Sequence, residues 1–530
     1  MRLFTSIIIV ALAMSSTSFA TPGDISKRTN LPRGHATGVA WDGKCIWIAD
    51  RKTDMFYRLD PANGEILDSI PSPGYFPSGL AWDGKLLWST DPSDAKIYAT
   101  DVSSGATVVT IDAPAAGPTG IAWEGTSLWV CDNSEKRISK IDPSDGTTIV
   151  SFKAPATDPR SIVFGGGYLW CSDRLKDQIY GIDPASGAVV VILDAPGRFS
   201  WGLAWKDGHL LNVDYQDDAL YEIVVKDGRQ FKTYDPRRAT IDFTSEATTS
   251  GTGEVQSLDI SYAVPLDRPN QRLLKPIVYS PQPSRFEKDR WGQGIAVFHF
   301  EDLKPPQGTE ISMRLAIETS AIRYFLYPEN VGSEIPADVK KLYLADEIKY
   351  DITNPYIRKI VKDVVGDETN LYWKSRRLFQ YLIDNMEYVL SGGWNTAPTV
   401  LKRGNGSCSE YSFSYIALCR AAGVPARYVG SLVVRGDDAS YDDVFHRWCE
   451  IYLPGYGWVP VDANAGDRDL PSDQAAAFGG IGNRFLITTE GGGASEYLDW
   501  NYNAQSTWVT TGKCRVRIES IAEWEPLEDE

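Results

Sequence analysis

Cys408 stands where a chain can hold a thiolate. It follows the glycine-bearing approach Gly404-Asn405-Gly406-Ser407 and opens a helix-compatible run to Cys419 that stops at Gly423-Val424-Pro425. A cysteine at a helix N-terminus meets unpaired backbone N–H groups and the positive end of the dipole, which lower its pKa from the free value of about 8.5. A nucleophilic thiolate also needs a base to take the thiol proton. The chain has four histidines, and two of them, His35 and His209, fall in a repeated N-terminal region. His299 lies in the apolar run Ile295 to Phe300 and reads as a packed strand residue. That leaves His446, in an alternating run from Val444 to Tyr452 that puts His446, Trp448 and Glu450 on one strand face. After the turn at Pro454-Gly455-Tyr456-Gly457, a second strand runs from Trp458 to Asp462. Strand side chains alternate with period two, so an odd-length connection sets Asp462 opposite Trp448, about 7–8 Å diagonally from His446. An even one turns it away. The expectation is a three- or five-residue connection, or a bulge with the same effect.

Four segments in this order resemble the transglutaminase-like superfamily over roughly residues 340–490: Gly406-Ser407-Cys408-Ser409-Glu410, Cys419 to Gly430, His446-Arg447-Trp448, and Gly457 to Asp462. The resemblance implies a papain-like α+β core with a Cys-His-Asp triad carried by Cys408, His446 and Asp462, and a structural Arg427. Under it, His446 takes the thiol proton while Asp462 orients the ring and stabilises its charge. The thiolate then attacks a glutamine carboxamide or peptide carbonyl, forming an acyl-enzyme thioester, and a backbone N–H near Cys408 holds the oxyanion. Passage of the acyl group to an amine or to water, transamidation or hydrolysis, stays open. Trp394 is a candidate wall of the site. Cys419 and Cys449 read as core, and the six cysteines other than Cys408 permit three disulfides without requiring any, a bridge between Cys131 and Cys171 among them.

The helices that would carry this chemistry begin near Asn354-Pro355, with Ile357, Ile360 and Val361 at helical spacing, and continue with Leu371, Leu378, Leu382 and Met386. Much of the preceding chain is repetitive. Gly38-Val39-Ala40-Trp41-Asp42-Gly43 recurs at Gly79, at Gly120, in degraded form at Ser161, and at Gly202, each step being 41 residues. Asp50, Asp91, Asp132, Asp173 and Asp214 keep the same interval, as do Trp47, Trp88, Trp129 and Trp170. Short alternating runs broken by Gly and Pro at this period describe propeller blades. Five repeats are visible; a sixth blade stays open, and residues 24–31 are placed to supply the outer strand of the last one. The repeating Trp and Asp read as blade packing and turn capping. No cofactor or metal is predicted; a Ca2+ role for the acids stays open without a motif behind it. Beyond the ruler, Leu258, Ile260, Tyr262 and Val264, and Met313, Leu315 and Ile317, alternate as sandwich strands, with Thr244 to Gly253 as a linker. The division is thus residues 1–20 signal peptide, 21–240 β-propeller, 241–335 β-sandwich-like spacer, and 336–530 catalytic domain.

Residues 1–20 read as an export signal from Arg2, the apolar stretch Leu3 to Met14 and the small residues of Ser18-Phe19-Ala20. The product is expected to be secreted or periplasmic, with no membrane insertion after cleavage. Lys+Arg 53 against Asp+Glu 70 gives a net charge of −17, which repels phosphate backbones and disfavours nucleic-acid binding. The expected partner is a protein or peptide substrate, recruited by the propeller to an exported thiol acyltransferase, peptidase or amidase. The alternative is a non-catalytic secreted scaffold retaining the same core, and the oligomeric state is left undetermined.

Overall fold

The computed structural model describes residues 20–527 except 33, 391, 392 and 439. The expected signal peptide therefore lies, apart from Ala20, outside the described residues. Among them are five four-stranded antiparallel sheets, one to each 41-residue repeat, the first four built wholly from their own repeat. The first is Ala36–Trp41, Ile46–Asp50, Met55–Leu59 and Ile66–Pro71. The fifth takes Ser200–Lys206, His209–Asp214 and Ala219–Val224 from its own repeat, and Ile25–Asn30 as its outer strand. That strand closes a five-bladed ring. The inner strands of neighbouring blades approach closely: a Cβ on Gly120 would lie 2.5 Å from the Ser161 Cα, which explains the glycine in the repeat. The repeated acid satisfies the indole N–H five residues on, Trp47 donating to Asp42 at 2.9 Å, Trp88 to Asp83 at 2.7 Å and Trp129 to Glu124 at 2.8 Å. Asp91 and Asp214 accept backbone amides from both the following turn and the preceding loop. They hold the corners of the blade.

A sandwich of two sheets follows. Phe231–Ser250 lies between Thr309–Tyr324 and Arg515–Pro526, and Val255–Ala263 lies between Gly294–Leu303 and Ala504–Thr510. The sandwich thus departs from the expected boundaries. It begins before residue 241 and takes two central pairings from the end of the chain, so 336–530 is not one unit. The alternation of Val516, Ile518, Ala522 and Trp524 is visible in sequence, but a partner more than 250 residues away is not. Thr244 to Ser250 is strand rather than linker; its small side chains suit a strand flanked on both sides, and Ser245 Oγ meets Ser520 Oγ at 2.7 Å. His299 faces outward instead of packing. Its ring lies 2.6 Å from Asp259 and 3.2 Å from Glu301, and hydrogen bonding to these carboxylates, Asp259 foremost, raises its pKa.

The sandwich strands flank an α+β core. Its helices include α1 (Leu371–Asn385) and α2 (Cys408–Ala421), and its antiparallel sheet runs in the order β3 (Gly457–Val461), β2 (His446–Leu453), β1 (Ala426–Val433), β4 (Phe485–Gly491). Residues Cys408 to Arg420 of α2 are all buried, so this helix is central and packs against β2. The apolar cluster around it extends through Phe379, Phe478 and Tyr372 to Tyr168, Val190 and Val191 of the propeller. Propeller and core therefore share one buried interior.

Candidate active site

Ser407 caps α2, which makes Cys408 its first residue. Glu410, wholly buried, fixes this end: its carboxylate accepts from the Ser407 N–H at 3.2 Å, from the Asn395 backbone and side-chain amides at 3.0 Å, and from Arg403 at 2.8 Å. The Ser-x-x-Glu spacing at 407–410 is a capping signature that the sequence reading passed over. Gly406 is required here, since a Cβ on it would lie 2.8 Å from Glu410 Cβ.

His446 opens β2 and Asp462 follows β3. The connection between these strands is three residues, Pro454 to Tyr456, and Cys449 pairs with Val461, which sets Asp462 on the side of His446. His446 Nε2 lies 2.7 Å from Asp462 Oδ2, and Oδ1 of the same carboxylate accepts from the Ala465 N–H at 3.1 Å. With Nε2 so engaged, Nδ1 is the nitrogen left for the thiol. Burial works to lower the His446 pKa, but the charge and hydrogen bond of Asp462, with Cys408 adding, push it up to about 10. Burial alone would raise the Cys408 thiol; hydrogen bonding to His446 and its charge outweigh that, helped by Arg447, and leave the thiol below its ordinary value. This arrangement favours a thiolate beside an imidazolium. The His446 ring packs in a three-ring cluster with Trp448 and Phe485, with centroids at 5.8 and 5.6 Å from its own.

Arg447 received no role from the sequence, yet it lies next to this centre. Its guanidinium is fully buried among the rings of Tyr502, Tyr428, Trp394 and Phe413 at 4.3 to 5.1 Å, with one bond to the Trp500 carbonyl. A fixed positive charge there adds to the stabilisation of the thiolate. Cys408 is 9% exposed, at the base of a cavity of about 260 Å³ walled by Trp394, Phe445, Tyr502 and others. Ala504 and Ser520 of the sandwich also line it, so the sandwich is more than a spacer. The segment that carries Val444 and Phe445 is pinned to the sandwich by Ser440–Asp442, which pairs with Arg515–Pro526. Buried Asp442 ties it further by accepting from the N–H groups of Val433, Val444 and Phe445.

Arg427 is bound on the same sheet to Glu450 at 2.6 Å and to Glu490 at 2.6 Å, and stacks over Trp458 at 4.3 Å. Arg268, from the sandwich, joins both carboxylates. All seven cysteines are free, Cys131 and Cys171 included, and Cys419 and Cys449 are buried in the core. Among the described residues, no group of three His, Cys, Asp or Glu side chains is placed to hold a metal ion.

Comparison with known proteins matches residues 358–463 to the transglutaminase-like superfamily and residues 12–168 to the SMP-30/gluconolactonase/LRE-like region. An uncharacterised Haemophilus influenzae protein is 28% identical over 190 residues, covering 30% of this chain and 51% of that protein. The chain thus spans about half the length of this curated relative. Similar solved structures include a putative cysteine protease from Cytophaga hutchinsonii (16% identity, TM-score 0.38, 55% of this chain and 92% of that one). Glutaminyl cyclase from Myxococcus xanthus gives 15% identity and a TM-score of 0.35 over 38% of this chain and 96% of that one. Virginiamycin B lyase from Staphylococcus aureus gives 19% and 0.27 over 38% and 70%. The chain accordingly carries a transglutaminase-like domain at 358–463, behind an N-terminal propeller.

Proposed function

We propose that the protein is an exported thiol-dependent acyl-transfer enzyme acting on a protein or peptide, with Cys408 as nucleophile, His446 as acid–base and Asp462 as its orienting carboxylate. The reading rests above all on one observation: Cys408, the first residue of α2, faces the His446 imidazole, whose Nε2 lies 2.7 Å from the buried Asp462 carboxylate.

The Cys408 thiolate attacks a carboxamide or peptide carbonyl carbon, forming the S–C bond. The resulting oxyanion draws on an N–H that the first turn of α2 leaves without a helical partner. As the C–N bond breaks, the imidazolium of His446 gives its proton to the departing ammonia or amine. The thioester then receives an amine or water; His446 takes the proton from this nucleophile, and the S–C bond breaks to restore the thiolate. The cavity of about 260 Å³ beside the sulfur, walled by Leu390, Trp394 and Phe445 as well as Ser409 and Asn501, suits one side chain or a short stretch of polypeptide rather than a folded surface. The propeller serves as the recruiting platform, and the site of action is secreted or periplasmic.

The test offers a glutamine-containing peptide with and without a primary amine and weighs the products. Loss of ammonia with gain of the amine identifies transamidation; a gain of one mass unit, or a cleaved peptide, identifies hydrolysis. Either must vanish in Cys408→Ala. No product with any peptide, in a chain whose thiol is alkylated no faster than free cysteine, would contradict the proposal and favour a scaffold.

A further inference from the structure

Between the propeller and α1 lies a cavity of about 660 Å³ that is separate from the Cys408 site. Phe152 and Asp183 line its propeller side, and Trp373, Arg376 and Gln380 its α1 side. Arg376 is the unexplained member. It is 5% exposed and rests against the rings of Phe379 and Phe478 at 5.1 and 5.2 Å. Among the described residues it has no hydrogen bond or ion pair, and its Nη1 is buried and unpartnered. The adjacent Arg377, by contrast, is bound to Glu368 at 2.9 Å. A guanidinium removed from water, resting on ring faces and paired with neither Asp183 nor Glu368 of the same cavity, is costly, because desolvation of a charge is offset only by a paired charge and satisfied donors.

We infer that this cavity is a ligand site for an organic anion, a carboxylate on an apolar body. The planar fork of Arg376 matches a carboxylate in a way that water does not. Trp373 and Phe152 supply the faces for the apolar part, and the volume lies in the range of small-molecule sites. Because the walls come from both propeller and core, the ligand would clamp the two together and stabilise the folded chain in proportion to its occupancy.

The experiment is thermal unfolding of the full chain with benzoate and with benzamide, probes that share a ring and differ in charge. Benzoate is expected to raise the midpoint in a saturable way, and benzamide to leave it unchanged. Arg376→Gln should weaken the benzoate response at least tenfold. Gln380→Glu places a carboxylate one helical turn from Arg376 on α1, at the cost of the bond Gln380 donates to Asp384; it should remove the benzoate response whatever its own midpoint, which keeps the test decisive should Arg376→Gln not fold. Cys408→Ala should respond as the unaltered chain does, so the outcome is independent of the proposed activity. Equal shifts with benzoate and benzamide, no shift with benzoate, or an undiminished benzoate response in Gln380→Glu would each overturn the inference.

Discussion

At Cys408 two opposing influences meet: burial, which favours the neutral thiol, and the positive charges of His446 and Arg447, which favour the thiolate. The balance predicts that Arg447→Met raises the thiol pKa and slows alkylation at neutral pH. A pH profile of alkylation checks it: a shifted midpoint supports the electrostatic role, and a uniform fall at every pH points to lost packing instead. The pair also fixes the shape of the activity profile. Activity should already be present below the ordinary thiol range, where the lowered thiol ionises. It should fall as pH rises through about 10, where His446 loses the proton it gives to the leaving group. Cys408, His446 and Asp462 were legible from residue type, a helix start and strand alternation. Arg447 was not, because its setting is built from Trp394, Phe413, Tyr428 and Tyr502, which no local pattern links.

The start of α2 depends on Glu410 more than on the dipole alone. Glu410→Ala removes a buried acceptor shared by Ser407, Asn395 and Arg403. It should cost about 1–3 kcal/mol, read as a lower midpoint in denaturant, and slow alkylation of Cys408. An unchanged midpoint would show that the cap is dispensable. Among larger elements, the blades were the most legible, since the first four each pair within their own repeat at a constant interval and in the first three the Trp and acid lie five residues apart. The terminal strands Ala504–Thr510 and Arg515–Pro526 were the least legible, because sheet partners far away in the chain leave no periodic trace. Their place beside Phe231–Ser250 and Val255–Ala263 predicts that deleting residues 504–530 lowers the thermal midpoint by more than about 10 °C or abolishes soluble protein. A deleted chain with the original midpoint would make them an appendage.

Across the whole molecule, the network of Arg268, Glu450, Arg427 and Glu490 ties the sandwich to the core beneath the site. Glu450→Ala leaves Arg268 and Arg427 with only the less buried Glu490 as a shared partner, and should cost about 1–3 kcal/mol in an unfolding measurement. Burial works to raise the Glu450 pKa, but Arg268 and Arg427 more than offset it and hold the carboxyl below its usual range. A lowered folded-state pKa stabilises above the unfolded value and is lost as pH falls through the folded one. The unaltered chain should therefore weaken on acidification, and Glu450→Gln should show a flatter dependence over the same range; equal slopes would remove this pair from the acid response. The sharing of one apolar cluster by propeller and core also predicts that the two unfold together rather than in separate steps.

The most direct test of the central claim is the pH dependence of iodoacetamide alkylation at Cys408, read by mass spectrometry in the native chain and in His446→Ala. The account predicts alkylation at Cys408 near pH 7 faster than that of a free thiol, slowed to or below the free-thiol rate in His446→Ala. Alkylation that titrates at or above the ordinary thiol value of about 8.5, identically in both proteins, would contradict it.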